Sequence, residues 1–82
     1  MKRRTINVTA EDIKKGFKWS DRCCPVARAM IREYGRAVCV SSIYWRFANS
    51  KTTHCLPIVA TRFISRFDRG DKVKPLSFTI GG

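Results

Sequence analysis

The chain has 82 residues, which is the size of one small domain, and 44% of them are hydrophobic, which is too apolar for a disordered tail. Seventeen lysines and arginines against six aspartates and glutamates give a formal net charge of +11. This excess predicts attraction to a polyanion and indicates nothing about the fold. We therefore predict a single domain over residues 1–82, with residues 1–4 as a flexible basic arm.

The first half of the chain predicts one strand followed by two helices. Polar and apolar residues alternate in the segment TINVT, which is typical of a short strand. Thr9 and Asp12 resemble a capping box, which begins a helix, and Pro25 suits the first turn of the next helix because no N–H is needed there. Glycines end both helices. The predicted elements are a strand over 5–9 and helices over 10–16 and 25–35.

The second half predicts three strands and one helix. Two segments rich in β-branched and aromatic residues suggest a hairpin, in which Trp45 faces the helices while Tyr44 and Arg46 face solvent. Pro57 begins the last helix and Gly70 ends it. Its buried stripe is predicted to contain Val59, Ala60, Phe63, Ile64 and Phe67. The predicted elements are strands over 36–41, 42–48 and 76–80, a polar turn over 49–55 and a helix over 57–70.

These elements follow the order β-α-α-β-β-α-β. When the two early helices are counted as one interrupted crossover, the order is that of a ferredoxin-like fold. We therefore predict an α+β domain in which four antiparallel strands form one sheet and the helices cover one of its faces. An exposed edge strand of such a sheet is able to pair with a second copy of the chain, so a homodimer remains open.

Three segments of the chain resemble a family of small uncharacterised proteins from phages and actinobacteria. They are INVTAEDIKKG (6–16), CPVARAM (24–30) and LPIVATRFISRFDRGDKVKPLSFTI (56–80). The family pattern is T..DI..G, then CPVA.A, then LP..A..FI..FD.G..V.P..F, and the middle hairpin is unmatched. Its motifs are mostly helix starts, helix ends and apolar faces. The resemblance therefore implies a shared fold and a phage origin, but no activity.

The cysteines and the histidine lack the spacing of a zinc site. Zinc modules usually bring ligands in pairs about two to four residues apart, whereas Cys23–Cys24 and His54–Cys55 are adjacent pairs. Adjacent side chains of a strand point to opposite faces. We expect the cysteines to fill small buried spaces and expect no metal and no cofactor, with a zinc module as the weaker alternative.

The amino-terminal segment MKRRTINVTAED lacks the apolar stretch of a signal peptide. No apolar run in the chain reaches the length of a transmembrane helix. We therefore expect a reducing, cytoplasmic setting with free thiols and no membrane partner.

Catalytic constellations are missing from the sequence. His54 is the single histidine, and no serine or cysteine motif connects to it. Glu11 and Asp12 fall in a first helical turn, where the helix dipole favours negative charge, so they do not predict an acid–base pair. We do not expect an enzyme.

Basic residues recur in three groups that have no compensating acids. Arginines three and four residues apart share one side of the last helix, and neighbours at this spacing are about 5–6 Å apart, close to the spacing of successive phosphates. A single row usually serves solubility, but three rows favour contact with a polyanion. The groups are Arg62, Arg66 and Arg69 with Lys72 and Lys74; Arg28, Arg32 and Arg36; and Lys2, Arg3 and Arg4.

Aromatic residues suggest a second kind of contact. Tyr44 beside Arg46 on the outer face of the sheet would be able to stack unpaired bases, near Thr5, Asn7, Ser77 and Thr79. Phe17 and Trp19 in the loop over 17–22 are further candidates, although covering the edge of the core is their simpler interpretation.

The combined interpretation is a non-enzymatic phage accessory protein that binds DNA or RNA chiefly through backbone phosphates. The alternative is an inhibitor whose arginines dock on the acidic surface of a host nucleic-acid-handling complex, such as a polymerase, a nuclease or a CRISPR effector. Either partner places the protein in the cytoplasm of an infected host cell.

Overall fold

Residues 3–80, which the computed structural model of the protein describes, form three helices and five strands. Helices and antiparallel strands occur together, so the predicted α+β class is confirmed. No helix in this range has the length and the apolarity that crossing a membrane requires. The elements are β1 (Arg4–Val8), α1 (Ala10–Lys15), α2 (Pro25–Tyr34), β2 (Val38–Val40), β3 (Tyr44–Phe47), β4 (His54–Cys55), α3 (Ile58–Asp68) and β5 (Leu76–Ile80).

Local sequence signals set the limits of the first two helices. The capping box of α1 is confirmed, because Thr9 Oγ1 accepts a hydrogen bond from the N–H of Asp12 at 3.1 Å, and Asp12 Oδ2 accepts one from the N–H of Thr9 at 3.0 Å. α2 starts at Pro25 and ends at Gly35, whose φ of 66° lies in the left-handed region that favours glycine. Both helices therefore end at their predicted caps.

The strands form two antiparallel sheets, one of β1 and β5 and the other of β2, β3 and β4 in that order. The pairs β1–β5 and β2–β3 are the outer pairs of a ferredoxin-like sheet, but no ladder joins β1 to β3 within residues 3–80. β4 takes the edge of β3 that β1 would need, since Tyr44 pairs with Cys55 and Trp45 with His54. The predicted single sheet is therefore corrected to two sheets, and the predicted polar turn over 49–55 contains a strand.

α2 joins the two sheets around one core, since it packs against β1, β2, α1 and α3. Val26, Ala27 and Met30 of this helix are fully buried. From α3 the core receives Ala60, Phe63, Ile64 and Phe67. Val59, which was predicted in the same stripe, is exposed because it lies on the side of α3 that carries the arginines.

Candidate nucleic-acid interface

A groove with a volume of about 560 Å³ runs between α3 and the segment that leads into β5. Four cationic side chains line it: Arg62 and Arg66 from α3, and Lys72 and Lys74 from the segment. Its apolar lining consists of Val59, Phe63, Val73, Pro75 and Leu76. The structure thus brings together four of the basic residues that the sequence singled out.

Helix periodicity and one turn build this groove. Arg62 and Arg66 are four residues apart and therefore lie one above the other on α3. Gly70 follows the helix with a φ of 88°, which a side chain would strain. The N–H of Asp71 then donates to the carbonyl of Arg66 at 3.0 Å. The chain turns back along α3 in this way, and the two lysines come to face the two arginines.

Among the described residues, no carboxylate neutralises the groove. Its lining contains no Asp or Glu, and none of the ion pairs within residues 3–80 involves its four cations. Arg62, Arg66, Lys72 and Lys74 are all exposed to solvent. The groove therefore presents four unpaired positive charges above an apolar floor.

Arg69, the third arginine of the predicted row, does not belong to the groove. Its Nη2 atom donates to Asp71 Oδ2 at 2.9 Å, and the two residues form an ion pair at the surface. The neighbouring Asp68 is also occupied, because its Oδ1 accepts a hydrogen bond from the N–H of Trp19 at 2.9 Å. The predicted row is therefore corrected to Arg62 and Arg66, which Lys72 and Lys74 extend.

Arg28 and Arg32 of the second predicted row contact a buried acid within the fold. Asp12 is almost completely buried, and Arg32 donates to both of its carboxylate oxygens at 2.8 Å. Arg28 Nε lies 3.4 Å from the same carboxylate. Burial raises the pKa of Asp12, but hydrogen bonds from Arg32 and Thr9 outweigh this effect and lower the pKa to about 2. Arg28 and Arg32 are therefore compensated by an acid, contrary to the prediction.

Arg36 and Arg46 contact β3 and the turn that follows it. Arg36 donates to Asn49 Oδ1 at 3.0 Å, and its guanidinium carbon lies 3.8 Å from the centre of the Phe47 ring. Arg46 Nη1 donates to three carbonyls of the following turn, those of Phe47, Ala48 and Ser50, at 3.1–3.3 Å. Arg46 thus stabilises the turn after β3, and it also lines a pocket of about 190 Å³ together with Tyr44, so its role in base contact stays a prediction.

Two cations of the predicted basic arm, Arg3 and Arg4, are described by the structure, and Lys2 lies outside the described residues. Arg4 belongs to β1, where it pairs with Ile80. Its Nη1 atom lies 3.3 Å from Glu33 Oε2, and its guanidinium carbon lies 4.8 Å from the centre of the Tyr34 ring. Arg3 is exposed and precedes the strand. Of the three predicted arm cations, Arg4 is therefore part of the sheet.

The predicted outer face of one continuous sheet does not form. Tyr44 is exposed and Trp45 is buried, as the alternation along β3 predicts. Thr5, Asn7, Ser77 and Thr79, however, lie in the other sheet. Tyr44 therefore has no polar platform from β1 and β5 beside it.

The cysteines of the described part of the chain are free thiols. Cys24 and Cys39 are buried, but Cys23 and Cys55 are exposed, so the prediction that the cysteines fill buried spaces is corrected for these two. Cys24 caps α2, since its sulfur accepts from the N–H of Ala27 at 3.4 Å, and burial raises the pKa of its thiol. His54 stacks on Trp45 with ring centres 4.5 Å apart. Between residues 3 and 80, no three His, Cys, Asp or Glu side chains come together as a metal ion would require.

The simpler interpretation of Phe17 and Trp19 from the sequence, that they cover the edge of the core, is wrong. Phe17 and Trp19 do not cover the core, because 65% and 78% of their surfaces are exposed. The residue order FKWSDR contains no signal for this exposure, nor for the left-handed backbone of Trp19, whose φ is 59°.

No family model, no curated protein and no solved structure matches the chain. The resemblance to the phage and actinobacterial proteins therefore stays a prediction.

Proposed function

We propose that the protein binds nucleic acid without base specificity of its own, through backbone phosphates that lie along the groove. The observation that supports this proposal most strongly is the convergence of Arg62, Arg66, Lys72 and Lys74 in a groove whose lining has no acidic residue. In a small basic protein, single exposed cations are ordinary. Four that face one another without a counter-charge repel each other, and phosphate relieves that repulsion.

The two kinds of cation have different roles in this proposal. An arginine guanidinium donates two parallel hydrogen bonds to one phosphate, and the fixed spacing on α3 sets the direction of the strand. Lysine ammonium groups act as mobile point charges, which suits Lys72 and Lys74 on the irregular segment opposite. Phosphodiester chains therefore have contacts on both sides of the groove.

A titration across salt concentrations tests the proposal. Four phosphate contacts predict a log–log slope of affinity against salt of about −3.6 for duplex DNA and about −2.8 for a single strand. The double variant Arg62→Gln/Arg66→Gln should weaken binding and reduce the magnitude of the slope by about 1.8 on duplex. The charge-matched control is Lys14→Gln/Lys51→Gln, which removes two exposed cations outside the groove.

Equal slopes for the groove variant and its control would reject the groove as the binding site. Absence of binding to both duplex and single strand would reject the proposed function.

A second candidate function has its own observation. Ile58 and Val59 are exposed at the start of α3, directly before the arginines. An apolar patch beside a cationic one is typical of a protein interface, and the partner would be an acidic surface of a host nucleic-acid-handling complex. Pull-down from host lysate with and without nuclease separates the two, because a protein partner survives nuclease treatment. On this reading the protein is an inhibitor.

The biological setting belongs to the proposal as well. The resemblance to phage proteins implies an accessory protein that acts in the cytoplasm of an infected host cell. Self-association through a strand edge stays a prediction, which light scattering of the purified protein tests.

A further inference from the structure

The loop between α1 and α2 presents two large aromatic side chains to solvent. Phe17 is 65% exposed and Trp19 is 78% exposed. A tryptophan is usually buried for most of its surface. Such an exposed ring is a candidate contact for a partner with a flat apolar face.

Hydrogen bonds fix the loop at both of its ends. The N–H of Phe17 donates to the carbonyl of Cys23 at 2.9 Å, and the N–H of Cys23 donates to Ser20 Oγ at 3.0 Å. The N–H of Trp19 donates to Asp68 Oδ1 at 2.9 Å. Trp19 itself has a φ of 59°, which is uncommon for a bulky residue and is held here by these contacts. The backbone under the indole is therefore set before any ligand arrives.

The loop lies at the end of α3 where the cationic segment begins. Asp68 is the last residue of α3, and a Cβ atom on Gly70 would come within 3.0 Å of Lys18 Nζ. Lys72 follows shortly after and already lines the groove. Trp19 lies beside Ile64 and Asp68, on the side of α3 opposite the arginines of the groove. A strand that leaves this end of the groove therefore reaches the loop by crossing the carboxyl end of α3.

The loop has too little net positive charge to bind phosphate strongly by itself. Lys18 and Arg22 are accompanied by Asp21, so the loop alone attracts phosphate weakly. Its chemistry is that of an aromatic surface, and an unpaired base offers the complementary π face. The bases of a duplex are stacked on each other and leave no such face. The groove is also small, within the range of about 300–1,000 Å³ that holds small ligands, which suits one strand better than two.

We infer that the nucleic acid is single-stranded, and that Trp19 stacks an unpaired base while the groove holds neighbouring phosphates. This inference rests on the proposed function, because the groove supplies the electrostatic attraction. Trp19 is then a binding residue that distinguishes unpaired strands from duplexes.

Intrinsic fluorescence provides a direct readout. The chain has two tryptophans, and Trp45 is only 3% exposed while Trp19 is 78% exposed. Stacking of a base should quench Trp19 and leave Trp45 unchanged. The probes are an oligothymidylate, an abasic phosphodiester strand of the same length and a DNA duplex. Quenching is expected with the oligothymidylate alone, although all three probes bind.

Variants test whether the indole contributes affinity. Trp19→Ala should weaken binding of the oligothymidylate by about tenfold, which corresponds to the stacking of one base, and leave the abasic strand and the duplex unaffected. Trp19→Phe should keep most of the affinity because a phenyl ring still stacks. Ile43→Ala, which removes an exposed apolar side chain outside the groove and the loop, is the matched control and should change nothing. The fluorescence of Trp45 and circular dichroism check that each variant folds.

The outcomes separate the two proposals. Binding of all three probes without quenching, and with equal affinity for Trp19→Ala, would overturn the stacking inference and leave the phosphate groove intact. Failure of all three probes to bind would reject both proposals. A loss of affinity for every probe in Trp19→Ala would show a structural role for Trp19, and would also overturn the inference.

Discussion

Arg32 donates one hydrogen bond to each carboxylate oxygen of the buried Asp12, and both are 2.8 Å long. The same guanidinium donates to the carbonyl of Asn7 at 2.7 Å. One arginine of α2 thus holds the start of α1 and the end of β1 together. This contact makes Arg32 a cation that stabilises the fold, in contrast to the exposed arginines that line the groove.

Removal of this arginine should destabilise the fold. We expect Arg32→Met to lower the free energy of unfolding by about 3 kcal/mol, because it leaves a buried carboxylate without its main partner. The measurement is urea unfolding, followed by circular dichroism. Arg62→Met is the matched control on a groove arginine, and its change should stay within about 0.5 kcal/mol. Similar losses in both variants would contradict the division between structural and ligand-facing cations.

Stability should depend on pH through Asp12. Its pKa is about 2 in the folded protein, below the ordinary value of 3.8. The folded state thus favours the ionised carboxylate, and the resulting stability is complete above about pH 4 and is lost as the pH falls to about 2. The contribution is about 2 kcal/mol.

Urea unfolding at several pH values between about 5 and about 2 measures this loss of stability. Wild type should lose about 2 kcal/mol more than Asp12→Asn over this interval, because the variant has no carboxyl group to titrate at this position. Parallel curves for the two proteins would assign the acid sensitivity to other groups.

Neutralising Asp71 should strengthen nucleic-acid binding. Asp71 pairs with Arg69 and stands directly before Lys72 of the groove. Asp71→Asn frees one guanidinium and removes a negative charge that repels phosphate. We expect affinity to rise by up to about fivefold, since an exposed ion pair is worth at most about 1 kcal/mol. Fluorescence anisotropy at low salt measures the change, and Glu11→Gln, which breaks the distant Lys15 pair, is the control. A weaker or unchanged affinity of Asp71→Asn would count against the groove.

The turn that forms the groove should depend on Gly70. Its φ of 88° disfavours any side chain, so Gly70→Ala should cost about 1–2 kcal/mol of unfolding free energy. Ser65→Ala, at an exposed position of α3, is the control and should be nearly neutral. Urea unfolding of the two variants decides, and equal stability would show that the turn adapts without strain.

Sequence reasoning worked where the cause of a feature is local. A capping pair such as Thr9 with Asp12, a proline in a first turn and a glycine after a last turn act through neighbouring backbone groups. Alternation along β1 and β5 likewise reports burial within one strand. The α+β class and the position of most helices and strands followed from such signals, and so did the grouping of Arg62 with Arg66.

Features that depend on residues far apart in the chain were missed. β4 contains two residues, which is too short for any periodicity, yet it occupies the edge of β3 and divides the sheet in two. Arg32 and Asp12 are 20 residues apart, and no pattern in the sequence announces that they meet. The backbone of Trp19 has a positive φ, and its N–H donates to a carboxylate of α3 that is 49 residues away in the chain.

Net charge is additive, so the composition alone establishes that the protein is strongly basic. Which cations remain unpaired depends on the positions of the acids in the folded protein. Asp12 pairs with Arg28 and Arg32, whereas no acid lines the described groove between α3 and β5. The reason is that Coulomb attraction depends on the distance between charges and on their burial, and the tertiary structure sets both.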